Sequence, residues 1–259
     1  MNRCLVLLLA ATVLALPGCS CGGGEGIPLP EPTPQAESTP AAAPTVVRVT
    51  TANTVDPAVP ADQVPEGCTP GPRTEGSVRV DADRGLADVI AWLRNPVRPS
   101  AASTVEPIDT EQSRQLALRD CRMTPRSLVA TQGDTLVVTN GDDRFHTVHL
   151  WRMDGGQERS HQTIALPPKA ADVRFDLDHP GLYRLRSDQI PWMRGLLLVH
   201  GARERGLVTG ADGSAEATGL PLASWDVELV HETLGSAQTT VEITDGSAAA
   251  IYGTLPGSE

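Results

Sequence analysis

The property that most restricts this chain is the shape of its apolar pattern. Short runs, apolar or alternating, are each closed off by glycine, proline, asparagine or aspartate, and no helical period is sustained over any length. Side chains of a strand point to opposite faces in turn, whereas a helix returns to the same face every 3.6 residues, so this pattern selects strands. The runs fall at 77–81, 87–93, 115–118, 127–130, 135–139, 146–151, 162–166, 172–177, 182–186 and 196–200, with Asp83-Arg84-Gly85, Gly133-Asp134 and Asn140-Gly141-Asp142 as turns. Many short strands at regular turn spacing predict an all-β chain, an antiparallel Greek-key sandwich.

Residues 182–200, LYRLRSDQIPWMRGLLLVH, put two of these runs on either side of a polar loop. Alternation places Tyr183, Leu185 and Ser187 on one face and Leu182, Arg184 and Arg186 on the other. The apolar face turns inward and delivers Ser187 to the mouth of the loop that holds Pro191, Trp192 and Met193.

The amino terminus has another character. Arg3, an apolar run over 5–16 and Leu16-Pro17-Gly18-Cys19 read as an export signal, and the run is too short to span a bilayer. A small residue directly before Cys19 resembles the bacterial lipobox, in which that cysteine is lipidated; the other reading is an ordinary secretory signal. Residues 20–66 are rich in proline, alanine, glycine and threonine and are expected to form an extended tether. The run TVVRVTT at 45–51 has strand character, but prolines isolate it on both sides, so it is counted within the tether.

The loop SDQIPWM at 187–193 resembles the C-D-x-H-P-W-M loop of bacterial cupredoxin-like proteins of the methylamine-utilisation or plastocyanin-like kind. DVIAWLRN from Asp88, CRMTPRSLVATQGDTLVVTNGD from Cys121 and RFHTVHLW from Arg144 are similar to further segments of that family, in its order. The resemblance implies a cupredoxin-like sandwich over 67–200, a copper histidine at His146 and a copper methionine at Met193. It also implies that two ligands are lost, because Ser187 stands at the cysteine position and Ile190 at the second histidine position. Type 1 copper takes a thiolate and two imidazoles with a weak axial thioether, so no cofactor is expected, with a non-standard copper site as the alternative. The family often carries cysteines where Cys68 and Cys121 stand, which implies a disulfide between them, worth about 3 to 4 kcal/mol in the chain-entropy account. Residues 201–259, through VTGADGSAEATGLPLASWDVELVHETLG, resemble a carboxypeptidase-regulatory, transthyretin-like repeat, expected as a small unit with little core of its own.

His149, three residues along a strand from His146, faces the opposite way and is expected to be exposed, while Trp192 and Met193 are expected to fill and cover the loop end. His161, His179 and His200 lie in or beside turns and are expected to be solvated, and His231-Glu232 is read as structural. No G-x-S-x-G motif supports a triad of Ser187 with His146, so no enzyme is expected. A net charge of -11 excludes the basic surface that nucleic acid requires. The sequence therefore predicts a non-catalytic binding or structural lipoprotein of the bacterial cell envelope, in the outer membrane or facing the periplasm. Its partners are a lipid anchor at Cys19 and a protein at the loop of Ser187 to Met193; the second reading is a copper carrier or electron-transfer protein.

Overall fold

The computed structural model describes residues 45–51, 66, 68, 78–94, 112–169, 172–244 and 250–255. The expected signal, Cys19, Cys21 and residues 20–44 of the tether lie outside them. Regular structure among the described residues is entirely strand, so the chain is all-β as expected.

One sandwich follows the middle of the sequence. β3 (Ser113–Arg119), β4 (Arg122–Thr124), β6 (Thr135–Asn140) and β9 (Val173–Asp176) form a sheet ordered β4-β3-β6-β9. Facing it are β5 (Ser127–Thr131), β7 (His146–Asp154), β8 (Gln157–Leu166), β10 (Gly181–Arg186) and β11 (Arg194–His200), ordered β5-β11-β10-β7-β8. The joints β3 to β6 and β5 to β11 are parallel and the rest antiparallel, as when a Greek-key chain crosses between sheets. Leu116, Leu118, Leu136, Val138, Val148, Leu150, Leu185 and Leu197 fill the space between the sheets.

β11 explains its own composition. Its apolar run Leu196-Leu197-Leu198-Val199 does not alternate with polar residues because both faces are covered. Leu197 and Val199 enter the first core, while Leu196 and Leu198 join Leu182 and pack with Ile90 and Val230 on the other side.

Those last two residues belong to a second sandwich whose composition differs from expectation. β2 (Ile90–Arg94) lies between β12 (Glu204–Val208) and β14 (Ser224–His231), with β15 (Gly235–Glu242) at the edge. Opposite stands a sheet ordered β13-β1-β16, made of β13 (Ser214–Ala217), β1 (Thr45–Thr51) and β16 (Ala250–Leu255). The run at 45–51, counted within the tether, is thus a central strand, antiparallel to β13 and parallel to β16, with Val47 and Val49 fully buried. Its alternation was the decisive signal. The 87–93 run likewise leaves the range 67–200 assigned to the first domain: Val80 still bridges Leu86, but β2 pairs with strands of the carboxy-terminal unit. With these recruits that unit has a full core, which includes Val47, Val49, Leu86, Leu93, Trp225, Val227, Leu229 and Ile251.

Candidate functional site

His146 opens β7 and is fully buried. Its surroundings are organised by the turn ahead of it. The Asn140 side-chain amide donates to the carbonyls of Arg144, Leu166 and Pro167, and its Oδ1 accepts the Asp142 amide, which fixes the loop that leads into β7. Asp142 then makes three contacts. Its Oδ1 accepts the Asp120 amide at 2.6 Å, and its Oδ2 accepts the Cys121 amide at 3.0 Å and faces His146 Nε2 at 2.8 Å. Burial works to raise the Asp142 carboxyl, but the two amides and the imidazole outweigh it and hold its pKa below the ordinary carboxylate value. Because a carboxylate only accepts, Nε2 carries a proton toward it, while Nδ1 is buried with no partner.

The contacts of Asp142 have a second effect. Asp120 and Cys121, the two residues that join β3 to β4, have φ values of 51° and 56°. A two-residue hairpin turn of this hand suits glycine and asparagine, and other residues incur about 1 kcal/mol or more each. The Asp142 carboxylate, bonded to both amides, holds that turn in place and sets Cys121 beside His146.

Ligand atoms of Cys121, Asp142 and His146 all lie within 4.8 Å of one another, and all three residues are buried. Three donor types thus gather, but the sulfur is committed: Cys121 is bonded to Cys68, so the disulfide implied by the resemblance is present. A disulfide sulfur is no substitute for the thiolate that metals bind.

The loop that carries Met193, the other ligand position implied by the resemblance, is closed on itself. The Ser187 amide donates to Met193 O at 2.9 Å, and the Met193 amide to Ile190 O at 3.0 Å. Ser187 Oγ accepts the amides of Gln189 and Ile190, each at 3.2 Å. Ile190 and Met193 are buried in the first core, and Trp192 Nε1 donates to the Cys121 carbonyl at 3.1 Å, which ties the loop to the β3–β4 turn. The imidazole of His146 is held by Asp142, and Met193 is buried in the first core. This donor set does not fit type 1 copper: one imidazole is engaged by a carboxylate, the hydroxyl is taken by two amides, and Ile190 offers no donor atom.

The remaining histidines depart from expectation in part. His149 does face away from His146, but its side chain is only 15% exposed; it stacks on Trp151, bonds Ser160 Oγ at 2.8 Å and stands 3.7 Å from Asp188. The last distance is beyond hydrogen-bond length, so these residues form a packed surface cluster and not a relay. His200, expected in solvent, is buried and donates Nδ1–H to the Gly201 carbonyl, because the second sandwich covers that end of β11. Burial lowers its pKa, as does nearby Arg205, against the opposing pull of that carbonyl. His161 and His179 are exposed and meet edge to face. His231 is buried, and its Nδ1 accepts the amides of Thr233 and Leu234 in a turn. Asp142, the hub of the site, was read from sequence only as part of a turn; its place two residues after a turn asparagine carries no mark of that role.

No family model matches the chain, and no curated protein matches it. Several solved structures are similar to parts of it. A purple cupredoxin from Nitrosopumilus maritimus is 20% identical with a TM-score of 0.28, the match covering 33% of this chain and 98% of that one. A reduced amicyanin variant is 21% identical with a TM-score of 0.29, over 42% of this chain and 98% of that one. A copper-containing nitrite reductase from Thermus scotoductus is 18% identical with a TM-score of 0.28, over 41% of this chain and 26% of that one.

Proposed function

We propose that this chain is an exported cell-envelope lipoprotein, anchored through Cys19, whose cupredoxin-like sandwich acts as a non-catalytic binding or structural module without type 1 copper. The observation that carries this reading is the sealed loop: Ser187 Oγ caps two loop amides, and Ile190 and Met193 are buried in the apolar core. Such a loop keeps its framework after losing its donors. Its exposed residues, Asp188, Gln189 and Pro191, are where a protein partner would dock. The anchor places the module in the outer membrane or facing the periplasm, and the carboxy-terminal sandwich is read as the transthyretin-like unit.

The copper-carrier reading has one observation in its favour, the unpartnered Nδ1 of buried His146. A titration of the full, oxidised chain with Cu(I) and Cu(II), beside His146→Ala, separates the two. Neither protein retaining metal is the result expected here; one tight equivalent that His146→Ala loses would overturn it. Ser187→Cys with Ile190→His should restore a blue-absorbing Cu(II) site, and a double variant that takes up no copper would count against the cupredoxin-like frame.

A further inference from the structure

We propose that Cys68, Cys121, Asp142 and His146 form a divalent-metal site that the disulfide keeps shut and that reduction opens. The four side chains converge in one buried place: the sulfurs are bonded to each other, and the Cys121, Asp142 and His146 ligand atoms lie within 4.8 Å of one another. Two thiolates, an imidazole and a carboxylate are a donor set that suits tetrahedral zinc. With zinc bonds of about 2.0 to 2.3 Å, tetrahedral ligand atoms stand roughly 3.3 to 3.8 Å apart, so Cys121, Asp142 and His146 must draw together by about 1 to 1.5 Å at most, and Cys68 must move in to complete the set. Cleaving the sulfur–sulfur bond gives the two cysteines that freedom.

Two unpartnered polar atoms accompany this cluster. One ring nitrogen of buried His146, Nδ1, has no partner, and beside the disulfide neither has the buried Nε of Arg144, whose Nη1 lies 3.5 Å from Cys68 Sγ and 3.0 Å from the Glu66 carbonyl. The disulfide is neutral and offers the guanidinium at its side only a weak sulfur acceptor. Two thiolates and the Asp142 carboxylate bring three negative charges, which a divalent ion and Arg144 together cancel, so the loaded site buries no net charge.

The chemistry balances with a dithiol as reductant. Cys68 keeps 7% of its surface exposed and Cys121 none, so the dithiol attacks Cys68 Sγ and Cys121 departs as a thiolate. The second thiol of the reductant then displaces Cys68 and leaves as a cyclic disulfide. Two electrons have passed to the protein, and the thiol protons are released when the ion binds.

The test uses the full chain with Cys4, Cys19 and Cys21 changed to Ser, so that Cys68 and Cys121 are its only thiols. Protein reduced with dithiothreitol and desalted without oxygen is titrated with Zn2+ and Co2+ beside the oxidised protein, with folding followed by circular dichroism. About one equivalent should bind the reduced form alone, Co2+ should give a thiolate charge-transfer band, and His146→Ala should weaken binding by about tenfold or more. A reduced chain that loses structure and regains it with one equivalent of Zn2+ gives the same answer. Reduced protein that takes up no metal, folded or not, overturns the proposal, as does equal binding by the oxidised form or by a variant with Cys68→Ser and Cys121→Ser. The oxidised copper titration reads a different state, so the two proposals fail separately.

Discussion

At the scale of single residues, Asp142 is the group on which most depends. It is a buried carboxylate with three partners, and Asp142→Ala strands two amides and an imidazole together. Removing one member of such a buried charged set costs about 3 to 5 kcal/mol, a loss that urea unfolding would register directly. The same carboxyl gives the fold an acid limb. Asp142 and Asp134 both ionise below the ordinary 3.8: burial raises each, but the hydrogen bonds outweigh it, from Cys121 and His146 on Asp142 and from Thr131 and Arg114 on Asp134. A depressed carboxyl stabilises fully above its unfolded pKa, and the gain is lost as pH falls through the folded value. Melting temperature should therefore drop steeply below about pH 4, and Asp142→Ala should flatten part of that drop. The place of His146 on β7, and of Ser187 and Ile190 in the loop between β10 and β11, was legible in the sequence because apolar runs frame them. Asp142 was not, since its partners at Asp120 and Cys121 are brought to it only by the sheet.

Among the elements, glycine at β12 decides how closely the two sandwiches approach. A Cβ on Gly206 would stand 2.5 Å from Val129 Cγ1 and 2.8 Å from Leu198 Cδ2. The leucine end can swing aside, but the branched valine on β5 cannot. Gly206→Ala is expected to lower the unfolding free energy by about 1 to 3 kcal/mol, measurable by denaturant melts, with Gly201→Ala as a milder comparison because a Cβ there meets only Glu204 Oε2, at 3.8 Å. Strands with a clean apolar rhythm, such as β6, β7 and β14, could be read from sequence. β12, half-buried at every position, and β15, which shows one face to solvent, lack that contrast and escaped notice. β8 was read too short because its first seven residues are all exposed.

For the whole molecule, the fold class was legible and the pairing of distant segments was not. Alternation tells a strand which face to bury, but nothing in TVVRVTT specifies that its neighbours lie at 214–217 and 250–255. A chain starting at Glu66 would lack β1, leave β13 and β16 without their shared partner and open a core that Val47 and Val49 close. Burial of those two valines alone is worth about 3 kcal/mol or more. The shortened protein should melt in two steps, the second sandwich first, or be recovered only as aggregate, whereas the full chain melts in one; calorimetry would distinguish them. β1 also sets how the protein meets mechanical load. Tension arriving through the preceding segment enters the fold at Thr45, and when it runs along β1 its hydrogen bonds to β13 and β16 bear it side by side, in shear. The strand is gripped between two neighbours, so it resists as a unit and does not peel away bond by bond.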